Sequence, residues 1–447
     1  MAVRQRQSIP RRISQPPQRA GSCWHSVEHE SKHVLEHYPL RPTVPAEPII
    51  RPLRESDVPA ALDLITAQWP EIARSCQEQM IRGDPWRSQQ RSFGAFVNDS
   101  LVSHARFHHR PVRIGHARLS SVGVSEVVTH PDYRGRGLAD QVLRTAIRWM
   151  RGARRHFSVL YTGIPAFYAR LGWGHLGEDS HHLPAHAVPK LGAGRTCITH
   201  IPIEKTPPAL AHIFARSCGQ RPISLLRSHA YWRSWPLWAK GNPWIGLLDD
   251  HWTVASKDSK IVGYGGIQRS EDSVAIVEAC CLPGHEDVLF DLCDVFVTRC
   301  RQAGGELIEL DLPSDHPLVA RLAPLTKMTL NQSAMVRIID LPGIIHELRR
   351  ELDERSLRLF GPVRVRLESS LGSLTLSATP GTVTFDESGE GPRAELTPAG
   401  LGSLLLGFRS SVELAKAGEI QAASPTLELL DLLFPRLNSH YWRIDHF

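Results

Sequence analysis

The sequence lacks the features that mark membrane-spanning, secreted and disulfide-framed proteins. No apolar run approaches the roughly 18 residues of a membrane-spanning helix, and no charged and then apolar leader of the secretory type is seen. The eight cysteines form no C-x-x-C pair and leave the last third of the chain empty. We therefore expect reduced thiols, a cytoplasmic location and no membrane partner.

Acidic residues are absent from the start of the chain, and this absence accounts for most of the net charge. The formal charge is +6, and five arginines lie in the first two dozen residues without an acid among them: Arg4, Arg6, Arg11, Arg12 and Arg19. The remainder of the chain is close to neutral. This distribution argues against an electrostatic groove for nucleic acid.

The length of 447 residues predicts two or three domains, because a single hydrophobic core does not grow that large. Residues 1–47 are mostly polar, and we expect a flexible, basic, histidine-rich tail there. His29 to His33 spell H-E-x-x-H, the spacing found in zinc proteases. The flanks offer neither an apolar helix face nor a clear third ligand, so we predict no metal site.

A short glycine-rich stretch between a predicted strand and a predicted helix carries the strongest functional signal. Valines at 122, 124, 127 and 128 predict a buried strand, and Leu138 to Met150 predict a helix that begins near Gly137. Between them lie six residues: Arg134, Gly135, Arg136, Gly137, Leu138 and Ala139. Glycines let successive N–H groups converge, and the helix N-terminus adds positive potential, so this stretch predicts a pyrophosphate site.

Two other interpretations of the same stretch are open at this point. It could be a glycine-rich turn that only packs a helix on a strand. It could also be a dinucleotide site, although Asp140 stands where the third glycine of G-x-G-x-x-G belongs and no early βαβ unit precedes it. The next segment favours the pyrophosphate site of a transferase: a second apolar strand, Phe157 to Tyr161, is followed by Ala166-Phe167-Tyr168-Ala169-Arg170-Leu171-Gly172-Trp173.

These two segments resemble the core of the GNAT superfamily of N-acetyltransferases. Arg134 to Ala139 match the Arg-x-x-Gly-x-Ala pattern with which that superfamily grips the pyrophosphate of coenzyme A. Phe167 to Trp173 are similar to its aromatic-Tyr-x-x-x-Gly-aromatic segment. The resemblance implies acetyl-CoA as a co-substrate and Tyr168 as the acid that protonates the departing thiolate.

The order of predicted elements extends this resemblance. A strand near Ile49, a helix from Val58, a hairpin from Phe93 to Phe107, then the strand, loop and helix described above give the order of a GNAT fold over residues 48–190. Residues 205–340 repeat the plan weakly. In this second copy Cys281 to Asp287 replace the glycine-rich loop, and a proline and two acids there should prevent coenzyme A binding.

The last part of the chain, residues 341–447, has short alternating strands followed by helical patterns. It resembles a sterol carrier protein module, and either a lipid-holding sheet or a plain packed core is compatible with this pattern. The predicted fold class is therefore α+β with α/β units: tandem GNAT folds, the second degenerate, followed by a sterol-carrier-like α+β domain.

This architecture, together with Phe167 to Gly174, resembles the Eis family, named for enhanced intracellular survival. Ala169 departs from that family's motif. The resemblance implies acetylation of amines, aminoglycosides among them, and a homo-oligomer that is a trimer or a hexamer. It also implies that the carboxylate of a C-terminal aromatic residue, here Phe447, serves as the base.

The chemistry of amine acetylation needs a base for the ammonium, a donor for the oxyanion and an acid for the thiolate. Phe447 and Glu126 are the two expected bases. A free α-carboxyl has a pKa of only about 3.5, so the Phe447 carboxylate would need burial or a water relay to act as a base, and Glu126 therefore stays a rival. Glu126 could equally be a strand-end carboxylate facing solvent. Backbone N–H groups near the cofactor-binding residues Val127, Val128 and Thr129 are the expected donors, and Tyr168 is the expected acid.

The predicted function is transfer of acetyl from acetyl-CoA to a primary amine by direct attack in a ternary complex, without a metal. Aminoglycoside-like, polyamine and lysine-type acceptors, small molecules or peptides, are all open. The alternative is a catalytically lapsed scaffold that binds coenzyme A or lipid.

Overall fold

The computed structural model describes residues 47–269 and 273–447. The predicted histidine-rich tail lies outside these residues. The first part of the chain has helices α1 (Val58–Gln68), α2 (Arg74–Arg82), α3 (Leu138–Gly152) and α4 (Pro165–Ala169). Its strands are β1 (Ile49–Pro52), β2 (Arg91–Val97), β3 (Ser100–Ile114), β4 (Ala117–Thr129), β5 (Phe157–Tyr161) and β6 (Gly174–His175).

The middle of the chain has helices α5 (Pro208–Arg216), α6 (His229–Ala239), α7 (Asp287–Gln302) and α8 (Pro317–Leu322). Its strands are β7 (Asp179–Pro184), β8 (Cys197–Pro202), β9 (His251–Lys257), β10 (Lys260–Arg269), β11 (Ser273–Cys281), β12 (Leu307–Leu310) and β13 (Lys327–Leu330).

The last part begins with strand β14 (Ala334–Ile338) and helices α9 (Leu341–Glu347) and α10 (Arg349–Ser356). The strands that follow are β15 (Val363–Ser369), β16 (Gly372–Thr379), β17 (Thr382–Asp386), β18 (Arg393–Leu396) and β19 (Ile420–Ala422). Helices α11 (Pro398–Leu405), α12 (Ser411–Lys416) and α13 (Ser424–Leu433) complete it.

Two seven-stranded sheets share one plan. Their orders are β1-β2-β3-β4-β5-β14-β6 and β13-β7-β12-β11-β10-β9-β8. Each contains one parallel pair, β4 with β5 and β11 with β12, and the other neighbours are antiparallel. In both sheets a helix, α3 or α7, follows the first strand of the parallel pair and provides the crossover connection that parallel strands require. The predicted tandem GNAT folds are confirmed.

The two GNAT folds exchange a strand at their boundary, which the sequence divisions 48–190 and 205–340 did not anticipate. β7 lies within the first division but pairs with β12 of the second sheet, Leu183 opposite Ile308. β14 lies within the second division but pairs with β5 of the first sheet, Val336 opposite Val159. Periodicity identifies a strand but not its partner, because partner choice depends on contacts far along the chain.

The third sheet, ordered β17-β16-β15-β18-β19, docks on the first sheet through α11. A Cβ at Gly402 would lie 2.4 Å from Val336 of β14, and one at Gly174 of β6 would lie 2.4 Å from the Ala399 backbone. These glycines allow close approach of helix and sheet. The sheet's buried residues share one core with leucines of α11 and α13, including Leu367, Leu376, Leu401, Leu404 and Leu430.

The expectation of reduced thiols throughout is wrong for one pair of cysteines. Cys218 and Cys280 are disulfide-bonded, with their Cα atoms 6.0 Å apart across a sequence separation of 62. The short turn at Cys218–Gln220 packs beside β11, a proximity that cysteine spacing alone does not reveal. The free cysteines of the described residues are Cys76, Cys197, Cys281, Cys293 and Cys300. None of the described helices combines the length and the apolar character that crossing a membrane would require.

Candidate active site

The parallel strands β4 and β5 form a fork. They pair over only three residues of β4, from Ser121 opposite Phe157 to Gly123 opposite Val159. Beyond Gly123, β4 continues to Thr129 without β5 beside it, while β5 runs on against β14. Because backbone groups of a strand point alternately to its two neighbours, some N–H and C=O groups between Val124 and Thr129 face the opening of the fork.

The two faces of the sheet at the fork are occupied by different parts of the molecule. Val122 and Val124 of β4 and Leu160 of β5 belong to the core under α3. Phe157 and Val159 belong to the opposite core, which β14 and the C-terminal domain complete. A group held at the opening of the fork can therefore be approached from both faces of the sheet.

The predicted anion loop lies on the α3 face. Gly135 and Gly137 have positive φ, +74° and +72°, and a Cβ at either position would meet nothing within 4 Å. Among the described residues, no acceptor is hydrogen-bonded to the amides of residues 135–139. Gly137 directly precedes α3, so these amides and the positive end of the helix dipole converge on open space.

The arginines of this loop are tied to its frame. Arg134 donates to the Thr129 carbonyl oxygen at 3.2 Å and to the Gln68 side chain at 2.8 Å. Arg136 donates to the Asp132 carbonyl oxygen at 3.0 Å and lies over the Tyr133 ring. Leu138 is buried under the loop, whereas Ala139 is partly exposed in the first turn of α3. The residues predicted for pyrophosphate binding are therefore assembled at one place.

The equivalent loop of the second GNAT fold is closed by its own acids. The amide of Gly284, which also has positive φ, donates to the Glu286 carboxylate at 3.0 Å. Asp287 begins α7 and pairs with Lys257 at 2.6 Å. Carboxylates thus occupy the N-terminus of α7, and the absence of coenzyme A binding in this copy stays a prediction.

Glu126 lies in a β-bulge rather than at a solvent-facing strand end. Arg106 of β3 pairs with Ser125 and His104 with Val128, so Glu126 and Val127 together oppose one residue of β3. The Glu126 carboxylate is ion-paired with the Arg106 guanidinium, and both side chains are at most 5% exposed. Burial raises the pKa of Glu126, against the opposing charge of Arg106. The solvent-facing interpretation of Glu126 is therefore wrong.

Val127, Val128 and Thr129, the predicted donors for the oxyanion, lie along the part of β4 that β5 does not pair with. Val128 is buried, and its carbonyl oxygen accepts a hydrogen bond from the Ser103 hydroxyl at 3.1 Å. The hydroxyl of Thr129 lies 2.9 Å from that of Ser103. Val127 is partly exposed and packs at the edge of the core under α3. The strand is thus fixed from the β3 side while its other edge faces the fork.

Tyr168 lies on α4, which Pro165 begins directly after β5. Its side chain is buried in the core under α3, edge-on to Phe167 and Trp173. Among the described residues its hydroxyl has no hydrogen-bond partner within range. Burial raises the pKa of Tyr168 above its ordinary value, so the phenol stays protonated at physiological pH.

The last two residues of the chain reach the fork from the opposite face. The Phe447 ring stacks on His108 of β3 and covers Gly123, where a Cβ would lie 2.3 Å from the ring. The His446 ring stacks on Tyr161 of β5 at 3.7 Å between centroids. One residue therefore contacts each arm of the fork. Tyr168 and Phe447 lie on opposite faces of the sheet.

A buried polar row beside Phe447 was not predicted from the sequence. His108 Nε2 lies 2.8 Å from the Ser125 hydroxyl, and its Nδ1 lies 3.6 Å from the Asp84 carboxylate, which Arg110 also binds at 2.7 Å. Burial, followed by the charge of Arg106, lowers the pKa of His108 to about 3, so its ring is neutral at physiological pH. The alternation of His104, Arg106, His108 and Arg110 along β3 is the sequence signal that could have indicated this row.

Within residues 47–269 and 273–447, no three histidine, cysteine or acidic side chains form a group that could hold a metal ion. The predicted H-E-x-x-H segment lies outside those residues.

Comparisons with known proteins identify the two ends of the chain. Residues 49–176 match the family model described as the acetyltransferase (GNAT) domain, and residues 366–442 match the sterol carrier protein domain. No curated protein sequence matches the chain. The first domain is thus a GNAT acetyltransferase domain, and the protein is an acyltransferase.

Several solved structures share the whole arrangement. A probable N-acyltransferase from Enterococcus faecalis is 15% identical, with a TM-score of 0.67 over 88% of this chain and 97% of its own. A GCN5-related N-acetyltransferase from Anabaena variabilis is 16% identical, with a TM-score of 0.67 over 90% and 100%. Eis1 from Mycobacterium abscessus is 16% identical, with a TM-score of 0.59 over 90% and 100%. At such identities the likeness establishes the fold, and it confirms the Eis-like architecture.

Replacing Glu126 with glutamine should destabilise the protein. The substitution keeps the shape of the side chain but removes its charge, so Arg106 becomes a buried charge without a counter-ion. We therefore expect the free energy of unfolding to fall by about 3 kcal/mol. Urea unfolding of the variant measures this. Glu55→Gln, which removes an exposed acid that pairs with Arg82, is the control and should not change the unfolding midpoint. Equal midpoints for all three proteins would show that the buried pair is not formed.

Proposed function

We propose that the protein transfers an acetyl group from acetyl-CoA to a primary amine by direct attack in a ternary complex formed at the fork of β4 and β5. The observation that carries this proposal is that the two faces of the sheet at the fork carry different groups. An open anion loop and a protonated tyrosine lie on one face of the sheet, and the end of the chain lies on the other.

The loop from Arg134 to Ala139 is the proposed site for the pyrophosphate of the coenzyme. Its free amides and the N-terminus of α3 supply hydrogen-bond donors and positive potential for an anion. The open directions at Gly135 and Gly137 leave room for phosphate oxygens close to the backbone. From this loop the pantetheine arm would follow β4 into the fork, where backbone groups from Val127 to Thr129 are proposed to hold the thioester.

The α-carboxylate of Phe447 is the proposed base. The rival base, Glu126, is already committed to Arg106, and its removal from water leaves it no free approach to an amine. Phe447 sits at the fork on the face away from the coenzyme loop, which is where an acceptor amine would arrive. Its contact with Gly123 places it beside the last paired residue of β4, next to the opening.

The reaction at the fork then needs one bond made and one broken. The deprotonated amine nitrogen forms a bond to the thioester carbon, and N–H groups of the open part of β4 stabilise the oxyanion. The carbon–sulfur bond breaks, and Tyr168 gives its proton to the thiolate. The acceptor nitrogen gives up two protons: the ammonium loses the first to the Phe447 carboxylate before the attack, and the nitrogen loses the second to solvent water after it has bonded to carbon. Solvent water then returns a proton to Tyr168. Aminoglycoside-like, polyamine and lysine-type amines are the acceptors to test.

Tyr168→Phe should slow acetyl transfer and leave coenzyme binding unchanged. The substitution removes the proton donor but keeps the ring that packs on Phe167 and Trp173, so we expect kcat to fall roughly 100-fold while the Kd for acetyl-CoA stays the same. Thiol release from acetyl-CoA in the presence of an amine panel measures kcat. Tyr133→Phe is the matched control. An unchanged kcat in Tyr168→Phe would remove this residue as the acid.

The role of Phe447 can be tested from both directions. A chain that ends at His446 and a chain extended by two glycines beyond Phe447 both displace the carboxylate from the fork, so each should lose kcat roughly 100-fold with the Kd for acetyl-CoA unchanged. The activity of Glu126→Gln, corrected for its folded fraction, is compared with both. Full activity of the extended chain, together with loss in Glu126→Gln, would transfer the role of base to Glu126.

A further inference from the structure

The segment that ends at Phe447 is anchored by hydrogen bonds to the second GNAT fold, whereas its last two rings stack on the first fold. Ser439 to Asp445 of this tail are buried apart from Arg443, which is partly exposed. The indole N–H of Trp235 on α6 donates to the Ile444 carbonyl oxygen at 2.9 Å. The indole N–H of Trp442 donates to the Ser224 hydroxyl at 2.9 Å.

One arginine lies at the centre of this attachment. The Nε and Nη2 atoms of Arg227 bind the two carboxylate oxygens of Asp445 at 2.8 and 2.9 Å, and its Nη1 and Nη2 bind both oxygens of Glu278 on β11. All three side chains are at most 1% exposed. The guanidinium also lies over the Phe214 ring, 3.8 Å from its centroid. Such fork-shaped pairing fixes orientation as well as position, which a lysine could not do.

Hydroxyl groups complete the hydrogen bonding of this cluster. Two carboxylates share one guanidinium, and each accepts a further hydrogen bond: Asp445 from the Tyr231 hydroxyl at 2.8 Å, and Glu278 from the Tyr264 hydroxyl. Buried charges require this kind of full pairing, because each unpaired group would carry a large desolvation cost. The tail therefore has one favoured position relative to β11.

Glu278 and Glu126 can be compared, because each is a buried acid on the first strand of a parallel pair, Glu278 on β11 and Glu126 on β4. Each is also paired with an arginine, Glu126 with Arg106 of the neighbouring strand and Glu278 with Arg227. In the second fold, where Glu286 closes the anion loop, Glu278 therefore holds the arginine that binds the tail.

We propose that Arg227 is a positioning residue that acts through Asp445, and that the second GNAT fold serves the first by fixing Phe447 at its fork. The proposal rests on the proposed function in one respect, the role of Phe447 as base. The anchoring of the tail is independent of that role and can be measured separately. The second fold then has a function although its own loop is closed.

Asp445→Asn is the variant that tests this proposal. It removes one charge while Arg227 remains paired with Glu278, so the domain keeps its core ion pair. Asp249→Asn, which removes an exposed acid paired with Arg299 in the same domain, is the matched control. Tyr231→Phe is a second, milder variant that removes only the hydroxyl bound to Asp445. All are made in the full-length chain.

Two readouts are expected to change together. Amide hydrogen exchange of residues 440–447 should become at least 10-fold faster in Asp445→Asn, and kcat should fall at least 10-fold while the Kd for acetyl-CoA stays the same. Tyr231→Phe should change both in the same direction but less, and Asp249→Asn should change neither. Unchanged exchange of the tail in Asp445→Asn and Tyr231→Phe would overturn the proposal.

A double variant separates positioning from general stability. In the chain that ends at His446, Asp445→Asn should cause no further loss of kcat, because the group that it positions is already absent. A further loss as large as in the full chain would contradict the positioning role. Faster exchange of the tail with unchanged kcat would instead support the anchor and refute Phe447 as the base, so the two proposals fail separately.

Discussion

The divergence of β4 from β5 is the constraint on which the rest of the structure depends. Two parallel strands that stay paired would use their backbone groups on each other, whereas strands that part after Gly123 leave those groups free. The bulge at Glu126 supports this divergence, because the extra residue bends β4 and is held by the buried pair with Arg106. The fork then joins two half-sites, one built from α3 and its loop and the other from the end of the chain.

The other two domains can be understood as supports for the second half-site. The C-terminal domain docks through α11 on β14, which follows the strands of the second sheet in the sequence but pairs with β5 in the first sheet. Its last residues then return along the second fold, where Arg227 binds Asp445. A tail held at both places can enter the fork in one position only. The first GNAT fold thus carries the proposed reaction site, and the second is proposed to serve as a scaffold. The two folds differ at the anion loop, which Glu286 and Asp287 occupy in the second fold.

Local patterns in the sequence were enough to predict what depends on neighbouring residues. The valine strand, the glycines of the loop and Tyr168 all lie within one continuous stretch of strand, helix, strand and short helix, so their spacing predicts their geometry. Contacts between distant residues were not predictable in this way. The fork depends on the register between β4 and β5. The ion pair of Glu126 with Arg106 depends on a bulge in β4. The attachment of Asp445 depends on Arg227, which is 218 residues away in the sequence. The sequence did not predict the exchange of β7 and β14 between the two sheets for the same reason.

Calorimetric titration with acetyl-CoA tests most directly whether the α3 face of the fork receives the coenzyme. A Cβ at Gly137 would project into the space proposed for the pyrophosphate, and Gly284 offers the same backbone strain in the loop that Glu286 closes. We expect one binding site for acetyl-CoA per chain, with a Kd at least about 10-fold weaker in Gly137→Ala and unchanged in Gly284→Ala. No heat of binding in the wild-type protein, or equal weakening by both substitutions, would contradict it.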